Sequence, residues 1–379
     1  MRLYETLERM KYYIIAGEAS GDLHGSNLIK AIRLQDPDAM IRCWGGDKMQ
    51  KAGANLVKHY RDLAFMGFAE VIANLGTIIK NLKYCKGDIL TFQPDVLILI
   101  DYPGFNLRIA EWAKKQGFKI AYYISPQVWA WKEGRVKKMK QCIDELITIL
   151  PFEKKYFQEK WNWDVEYVGH PLTEAIRDFQ REEKQIIPSN KPIIALLPGS
   201  RKQEIRKKLP VMLEVSRQFK DYQFIVARAP GLDTDFYENF FEGYDNVSAI
   251  SGKTYSLLSQ ATAALVTSGT ATLETALLGI PQVVCYKGSE ISYQIAKRLV
   301  KINYISLVNL ILNKEAVKEL IQHEMNATKL KEELIKILPD GEKHKQVIED
   351  YQELKSLLQD QETASTKTAS LVISLGKNS

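Results

Sequence analysis

Short apolar runs alternate with amphipathic stretches along most of this chain, and that alternation limits the folds open to it. "YYIIA" (12–16), "IRCWGG" (41–46), "DVLILID" (95–101), "FKIAYYIS" (118–125) and "ELITIL" (145–150) read as strands. Helical patterns lie between them, the first over residues 22–35. Strand, helix, strand in this order calls for a parallel sheet, because parallel neighbours need a crossover and cannot be joined by a tight hairpin. The rhythm fails at "FQREEKQIIPSNKP" (179–192), which loses periodicity and gains charge. It restarts with "IIALLPGS" (193–200), "QFIVARAP" (223–230), "ATAALVTSG" (261–269) and "PQVVCY" (281–286).

The predicted fold class is therefore α/β, with two Rossmann-like parallel-sheet domains facing across a cleft and helices at the C-terminus. The expected boundaries are 1–178 for the first domain, 179–192 for a linker, 193–345 for the second domain and 346–379 for a C-terminal helix and tail. A chain of 379 residues is long enough for each half to bury its own core. Within the tail, "SLVISLG" (370–376) is apolar enough to dock on a folded surface.

Charge and cysteine usage narrow the function classes. The net charge is +6, with the basic residues concentrated at 132–140 and 201–208. Local clusters of this kind suit small anions better than nucleic acid, which asks for a longer basic stripe. The four cysteines, Cys43, Cys85, Cys142 and Cys285, have no paired spacing, and the five histidines form no ligand pair at helical spacing. Neither a disulfide framework nor a metal centre is expected, and the setting reads as reducing and cytoplasmic. No run approaches the ~18 apolar residues that span a bilayer. Arg2, Arg9 and Lys11 precede too short an apolar run for a signal peptide. Met10 reads as the better start, with residues 1–9 expected to be dispensable.

"GEASGDLHG" (17–25) looks at first like a phosphate-binding turn, with Gly17, Gly21 and Gly25 after a strand. Yet Glu18 and Asp22 would repel an anion from it. Carboxylates suit a hydroxyl-rich partner better. Asp101 ends the clearest strand of the first half, where it is either a general base for an attacking hydroxyl or a simple turn residue.

The second half supplies what the first lacks. In "LLPGSRKQEIRKKLP" five of the eight residues 201–208 are basic, although cations oppose the dipole at a helix start. Either an anion sits there with Arg201 pointing at it, or Ser200 caps a helix with a solvated basic face. In "LVTSGTATLETALLGIP" (265–281) a turn of Ser268, Gly269 and Thr270 opens a helix that stops at Gly279. Glu274, one turn in, either accepts hydrogen bonds from ribose hydroxyls or complements the dipole. Two such helix starts in one domain favour a nucleotide diphosphate. Neither a G-x-G-x-x-G nor a Walker-type motif is present.

Two further segments carry two readings each. Residues 65–87 place Phe65, Phe68, Ile72, Leu75, Ile79 and Leu82 at helical spacing beside Lys80, Lys83 and Lys86. They form either a helix packed on the sheet or one dipping into an anionic bilayer surface. "SPQVWAWKEGRVKKMK" (125–140) holds two tryptophans that are either core or part of a phosphate-facing surface.

"GEASGD" (17–22), "MGFAEV" (66–71), "IDYPGFN" (100–106), "SPQVWAW" (125–131), "LPFEK" (150–154), "GHP" (169–171), "LLPGSR" (196–201), "SGTATLE" (268–274) and "YISLVNLI" (304–311) together resemble the lipid-A-disaccharide synthase family, in the family's order. The resemblance implies an inverting, metal-independent GT-B glycosyltransferase with no cofactor. Its implied reaction joins UDP-2,3-diacylglucosamine to 2,3-diacylglucosamine 1-phosphate, giving a β-1,6-linked disaccharide 1-phosphate and UDP. The implied setting is the cytoplasmic face of the inner membrane, held peripherally, in making the lipid anchor of lipopolysaccharide. No nucleic-acid partner is implied, and a homodimer is left open.

Carried over by motif, Asp101 and Glu18 are the implied catalytic carboxylates. Ser20, Gly21, Asp22, Met66, Glu70 and Asn106 fall on the acceptor side. Gly199, Ser200, Arg201, Ser268, Gly269, Thr270, Glu274 and Asn309 fall on the nucleotide-sugar side. Tyr102 and Gly104 stand where many relatives carry small and acidic residues, and Val308 where proline is common. Gly104 leaves Asp101 the clearer base. Another UDP-sugar enzyme of the same fold would share the second-half signals but not the first-half set; a two-lobed binding protein is open on architecture alone, though such proteins usually carry the export signal not found here.

Overall fold

Tyr12, Tyr13, Ile14, Ile15 and Ala16 all have no solvent exposure, so this strand is covered on both faces. That is the environment of a parallel sheet with helices on either side. The computed structural model describes residues 9–63, 75–183, 185–290, 293, 294, 298 and 302–377. It divides the chain into two units: one of Met1–Pro171 with Asp360–Ser379, the other of Leu172–Gln359. The expected linker at 179–192 therefore lies inside the second unit, and the expected C-terminal piece at 346–379 is shared between the two.

In the first unit, β1 (Lys11–Ala16) leads to α1 (Ala19–Gln35), β2 (Met40–Gly45), α2 (Asp47–Lys51) and β3 (Asn55–His59). Then come α3 (Leu75–Phe92), β4 (Val96–Ile100), α4 (Pro103–Lys115), β5 (Lys119–Tyr123), α5 (Arg135–Cys142), β6 (Glu145–Thr148), α6 (Glu153–Trp161) and β7 (Glu166–Tyr167). The seven strands are ordered β3-β2-β1-β4-β5-β6-β7, with every pairing parallel. Order reverses between β1 and β4, whose last residues pair as Ala16 with Ile100. One core gathers Tyr13, Ile15, Trp44, Leu97, Leu99, Ile109, Tyr122 and Phe157.

α7 (Pro171–Arg181) opens the second unit. It continues through β8 (Ile193–Leu197), α8 (Lys202–Ser216), β9 (Gln223–Arg228), α9 (Asp235–Phe241), β10 (Val247–Ser251), α10 (Thr254–Leu258) and β11 (Ala261–Thr267). Next are α11 (Thr270–Leu277), β12 (Gln282–Tyr286), α12 (Leu307–Leu312), β13 (Lys318–Ile321), α13 (Ala327–Ile337) and α14 (His344–Leu358). The six strands are ordered β10-β9-β8-β11-β12-β13, all parallel. This is the doubly wound order of nucleotide-binding sheets, with its reversal between β8 and β11.

The final helix, α15 (Ala364–Lys377), returns to the first unit and packs on α1 and on β4, β5 and β6. Ala369 and Val372 are fully buried there, and Gly376 lets the helix approach Met10 and Val96 so closely that a Cβ would clash with Met10. Lys119 Nζ donates to the carbonyls of Leu375 (2.9 Å) and Gly376 (3.3 Å), satisfying acceptors that a helix end leaves open. The apolar tail thus docks as expected. All four cysteines are buried and unpaired.

Candidate active site at the switch point of each sheet

Ligands of open parallel sheets bind beyond the carboxyl ends of the strands, where the strand order reverses. In the first unit those ends are Ala16 and Ile100, so the chain runs directly into Gly17–Glu18 on one side and Asp101–Tyr102 on the other. The segments "GEASGD" and "DYPGFN", distant in sequence, meet there because β1 and β4 are neighbours.

Helix α1 starts at Ala19, three residues earlier than its predicted start at 22, so most of the apparent glycine loop is the helix's first two turns. Glu18 is extended (φ −145°) at the N-cap position, half-buried, and makes no capping bond. The ring of Tyr102 lies on Gly17, where any Cβ would run into it. Gly21 faces the strand ends, and a Cβ there would stand 3.0 Å from Ala16 Cβ. Ser20 is exposed.

Asp22, expected on the acceptor side, is bonded to the backbone. It is 4% exposed, and its carboxylate accepts the backbone N–H groups of Gly46 (2.8 Å), Met49 (3.0 Å) and Lys48 (3.2 Å). Those are the free donors at the start of α2, so Asp22 caps a neighbouring helix. Asn106, also expected on the acceptor side, is likewise tied to the backbone. It has no exposure, and its Nδ2 donates to the carbonyls of Asp101 (2.8 Å), Ile100 (3.1 Å) and Ile15 (3.4 Å), binding the ends of β1 and β4 together. Met66 and Glu70 lie outside the described residues, as does the stretch 64–74 of the apolar segment at 65–87.

Asp101 is held hard. Its N–H donates to Tyr123 O (3.0 Å), and its carbonyl accepts from Tyr122 Oη (2.6 Å) as well as from Asn106. Asp101 (φ 43°), Tyr102 (φ 50°) and Ile124 (φ 64°) all adopt the left-handed region at the ends of β4 and β5. Non-glycine residues there cost of order 1–3 kcal/mol each, and such strain collects at functional sites. Burial pushes the Asp101 carboxyl up to about 6, partly offset by a hydrogen bond from the Tyr102 backbone. Glu18 stands close enough to help raise the Tyr102 phenol, after burial, which is the larger cause. A carboxyl poised near neutrality at a rigid strand end is suited to accept a proton.

Sequence reading did not find Glu153. It is fully enclosed and accepts from Trp129 Nε1 (3.1 Å), Leu150 N (2.9 Å) and Ile149 N (3.2 Å), which ties "LPFEK" to "SPQVWAW". Trp131 is exposed, with Lys132 Nζ 4.4 Å from its ring centre.

In the second unit β8 and β11 end side by side, Leu197 pairing with Val266. Beyond them lie Gly199–Ser200–Arg201 and Ser268–Gly269–Thr270, again brought together by the sheet. Gly199 (φ 124°) and Gly269 (φ 149°) take backbone conformations that favour glycine. Arg201 sits at the N-cap of α8 with its guanidinium 3.6 Å from Glu204, and its side chain is about half exposed. Ser200, Gly269 and Thr270 are exposed.

The other nucleotide-side residues are tied into the scaffold. Ser268 Oγ donates to Ile305 O (2.9 Å), pinning the "YISLVNLI" segment to this turn. Tyr255 Oη donates to Glu274 Oε1 (2.7 Å), and burial raises the Glu274 carboxyl. Asn309, expected on the nucleotide-sugar side, braces the fold. It is fully buried, donates to Val317 O and Glu319 Oε1, and accepts from Ala316 N and Val317 N. Its partner Glu319, which the sequence did not flag, also accepts the N–H groups of Ile305 and Ser306 (both 2.9 Å). Among the described residues no group of three or more His, Cys, Asp and Glu is arranged to hold a metal.

The family profile described as lipid-A-disaccharide synthetase matches residues 12–373. A lipid-A-disaccharide synthase of Syntrophus aciditrophicus (strain SB) is 38% identical over 355 residues, covering 91% of this chain and 92% of that one. One of Myxococcus xanthus (strain DK1622) is 34% identical over 372 residues, covering 96% of each. Among solved structures, the UDP-GlcNAc 2-epimerase of Neisseria meningitidis bound to UDP-GlcNAc is similar at a TM-score of 0.63 and 11% identity, covering 96% of this chain and 99% of that one. The glycosyltransferase SnogD of Streptomyces nogalater gives 0.58 at 14% identity, covering 97% and 100%. At such identities the structural likeness speaks for the two-sheet fold alone. The sequence match speaks for more: this chain belongs to the lipid-A-disaccharide synthase family of GT-B glycosyltransferases.

Proposed function

We propose that the protein transfers a diacylglucosaminyl group from UDP-2,3-diacylglucosamine to the 6-hydroxyl of 2,3-diacylglucosamine 1-phosphate, with Asp101 as general base. The family establishes a glycosyltransferase of lipid A biosynthesis; the assignment of steps to residues is our reading. In it, the acceptor hydroxyl gives its proton to Asp101 as its oxygen attacks the anomeric carbon. The bond from that carbon to the β-phosphate oxygen breaks, the anomeric centre inverts, and UDP departs with the bonding electrons. Arg201 and the backbone donors at Ser268–Thr270 stabilise the charge that gathers on the leaving phosphate.

One observation carries the reading: in each sheet two of the family segments lie at the two strand ends flanking the switch point. The first unit offers carboxylates there, suited to a sugar acceptor, and the second offers a cation and helix starts, suited to a diphosphate. Glu18 is the rival base. No helix among the described residues is long and apolar enough to cross a membrane, which agrees with peripheral attachment at the cytoplasmic face of the inner membrane. Incubating the purified protein with both lipids should release UDP and yield a disaccharide 1-phosphate. Release of UDP without the acceptor, or a C2 epimer in place of a disaccharide, would point to another enzyme of this fold.

A further inference from the structure

Lys208 is an anomaly in the second unit. It projects from α8 into the interior and is only 3% exposed. An ammonium carries three N–H donors, and a buried one needs them filled and its charge matched. Lys208 Nζ makes one hydrogen bond, to Thr267 Oγ1 at 3.3 Å, and its ion-pair partner Glu204 Oε2 is 4.0 Å away. A charge-assisted contact at full strength is about 2.7–2.9 Å. Burial lowers the Lys208 pKa, and Glu204 only partly opposes that.

Glu204 is shared as loosely on its other side, with Oε1 3.6 Å from Arg201 Nη1. Its carboxylate also lies against the Gly199 turn, where a Cβ on residue 199 would come within 2.5 Å of Oε2. A single carboxylate therefore stands between two cations and the glycine turn at the end of β8, 4.0 Å from Lys208 Nζ and 3.6 Å from Arg201 Nη1. Thr267, the hydroxyl that Lys208 does reach, is the last residue of β11, one step before the Ser268–Thr270 turn.

We propose that the Glu204 carboxylate stands in for a phosphoryl group in the free protein, and that Lys208 is the cation that takes this group from beneath the Gly199 turn when a nucleoside diphosphate binds. This rests on the reading of the second unit as the nucleotide site. On binding, the phosphoryl oxygen displaces Glu204 toward solvent and completes the donors of Lys208. Glu204 thereby competes with the ligand, and Lys208 is a diphosphate-binding residue in addition to Arg201.

An ordinary helix ion pair and a competing anion predict opposite signs for one variant. Calorimetric titration of UDP into the full chain should show Glu204→Gln binding about three- to tenfold more tightly than the unsubstituted protein, since a like charge beside the phosphate is gone. Lys208→Met, which keeps the stem and loses the charge, should bind UDP about tenfold or more weakly. Combining the two should abolish most of the gain from Glu204→Gln, because both act on one group. Uridine, titrated in parallel, should show none of these changes. Unchanged or weaker UDP binding by Glu204→Gln overturns the proposal, even if Lys208→Met proves unstable. If the unsubstituted protein binds no UDP, the nucleotide reading fails and the proposal with it.

Discussion

Asn106 Nδ2 donates to the main-chain carbonyl of Asp101 at 2.8 Å, and the same amide also holds Ile100 and Ile15 at the ends of the two central strands. The amide thereby fixes the backbone that carries the proposed base without touching a substrate. Asn106→Leu removes the buried donor that these carbonyls share, leaving Asp101 O with Tyr122 Oη alone, at a cost of about 1–3 kcal/mol. Its denaturation midpoint should fall accordingly, and kcat should fall with it while UDP affinity stays the same. An unaltered midpoint would show that the carbonyls find other donors.

Asp101 makes a prediction about pH. Its carboxyl titrates at about 6, above the ordinary value, because it is buried. Only the ionised form accepts a proton, so kcat/KM should rise with pH and level off above about 6. Asp101→Asn should lower kcat by about 10²–10⁴ and leave UDP affinity unchanged. A variant that keeps near-normal kcat, alongside a Glu18→Gln variant that loses it, would exchange the roles of the two carboxylates.

Gly17 and Tyr102 are matched by shape. A methyl group at residue 17 meets the Tyr102 ring, so Gly17→Ala must push the ring aside or strain the end of β1. Overpacking of this kind costs about 1–3 kcal/mol. Tyr102→Ala in the same chain should restore most of that loss by making room, which paired unfolding curves will measure. Additive losses would mean that the two residues are not coupled.

Arg201 and Asn309 separate ligand contact from scaffold on the nucleotide side. Arg201→Ala should reduce kcat/KM for the donor by the equivalent of about 1.5–3 kcal/mol with little effect on melting temperature. Asn309→Ala removes four internal hydrogen bonds at a fully buried site, so it should lower the melting temperature first. If Asn309→Ala melted normally yet bound UDP poorly, the amide would be a contact after all.

The central strands were legible in the sequence because they are nearly unbroken apolar runs, such as Ile193–Leu197 and Val96–Ile100, buried at every position. Four strands escaped: β3, β7, β10 and β13, which are the four edges of the two sheets. An edge strand has one neighbour and partial cover, so Asn55–His59 and Val247–Ser251 carry polar residues that hide the strand pattern. The positions of Asp101 and Arg201 beyond central strands were legible, because each follows an apolar run. The backbone bonds of Asp22, Asn106 and Asn309 were not legible, because a polar residue in a motif looks the same in sequence whether it faces a ligand or the backbone. Only the fold shows that Gly46, Asp101 and Val317 are waiting for them.

The route of α15 orders the synthesis of the protein. The first sheet emerges from the ribosome with its outer face at β4 and β5 uncovered, and the helix that closes it is made only after the whole second unit. At about 5–20 residues per second, that interval is on the order of ten seconds or more. During it the surface awaiting Val372 and Ile373 is open to other chains. The first unit is thus the first to be translated and the last to be finished, and a stop codon just before Ala364 would harm the N-terminal half more than the half it adjoins.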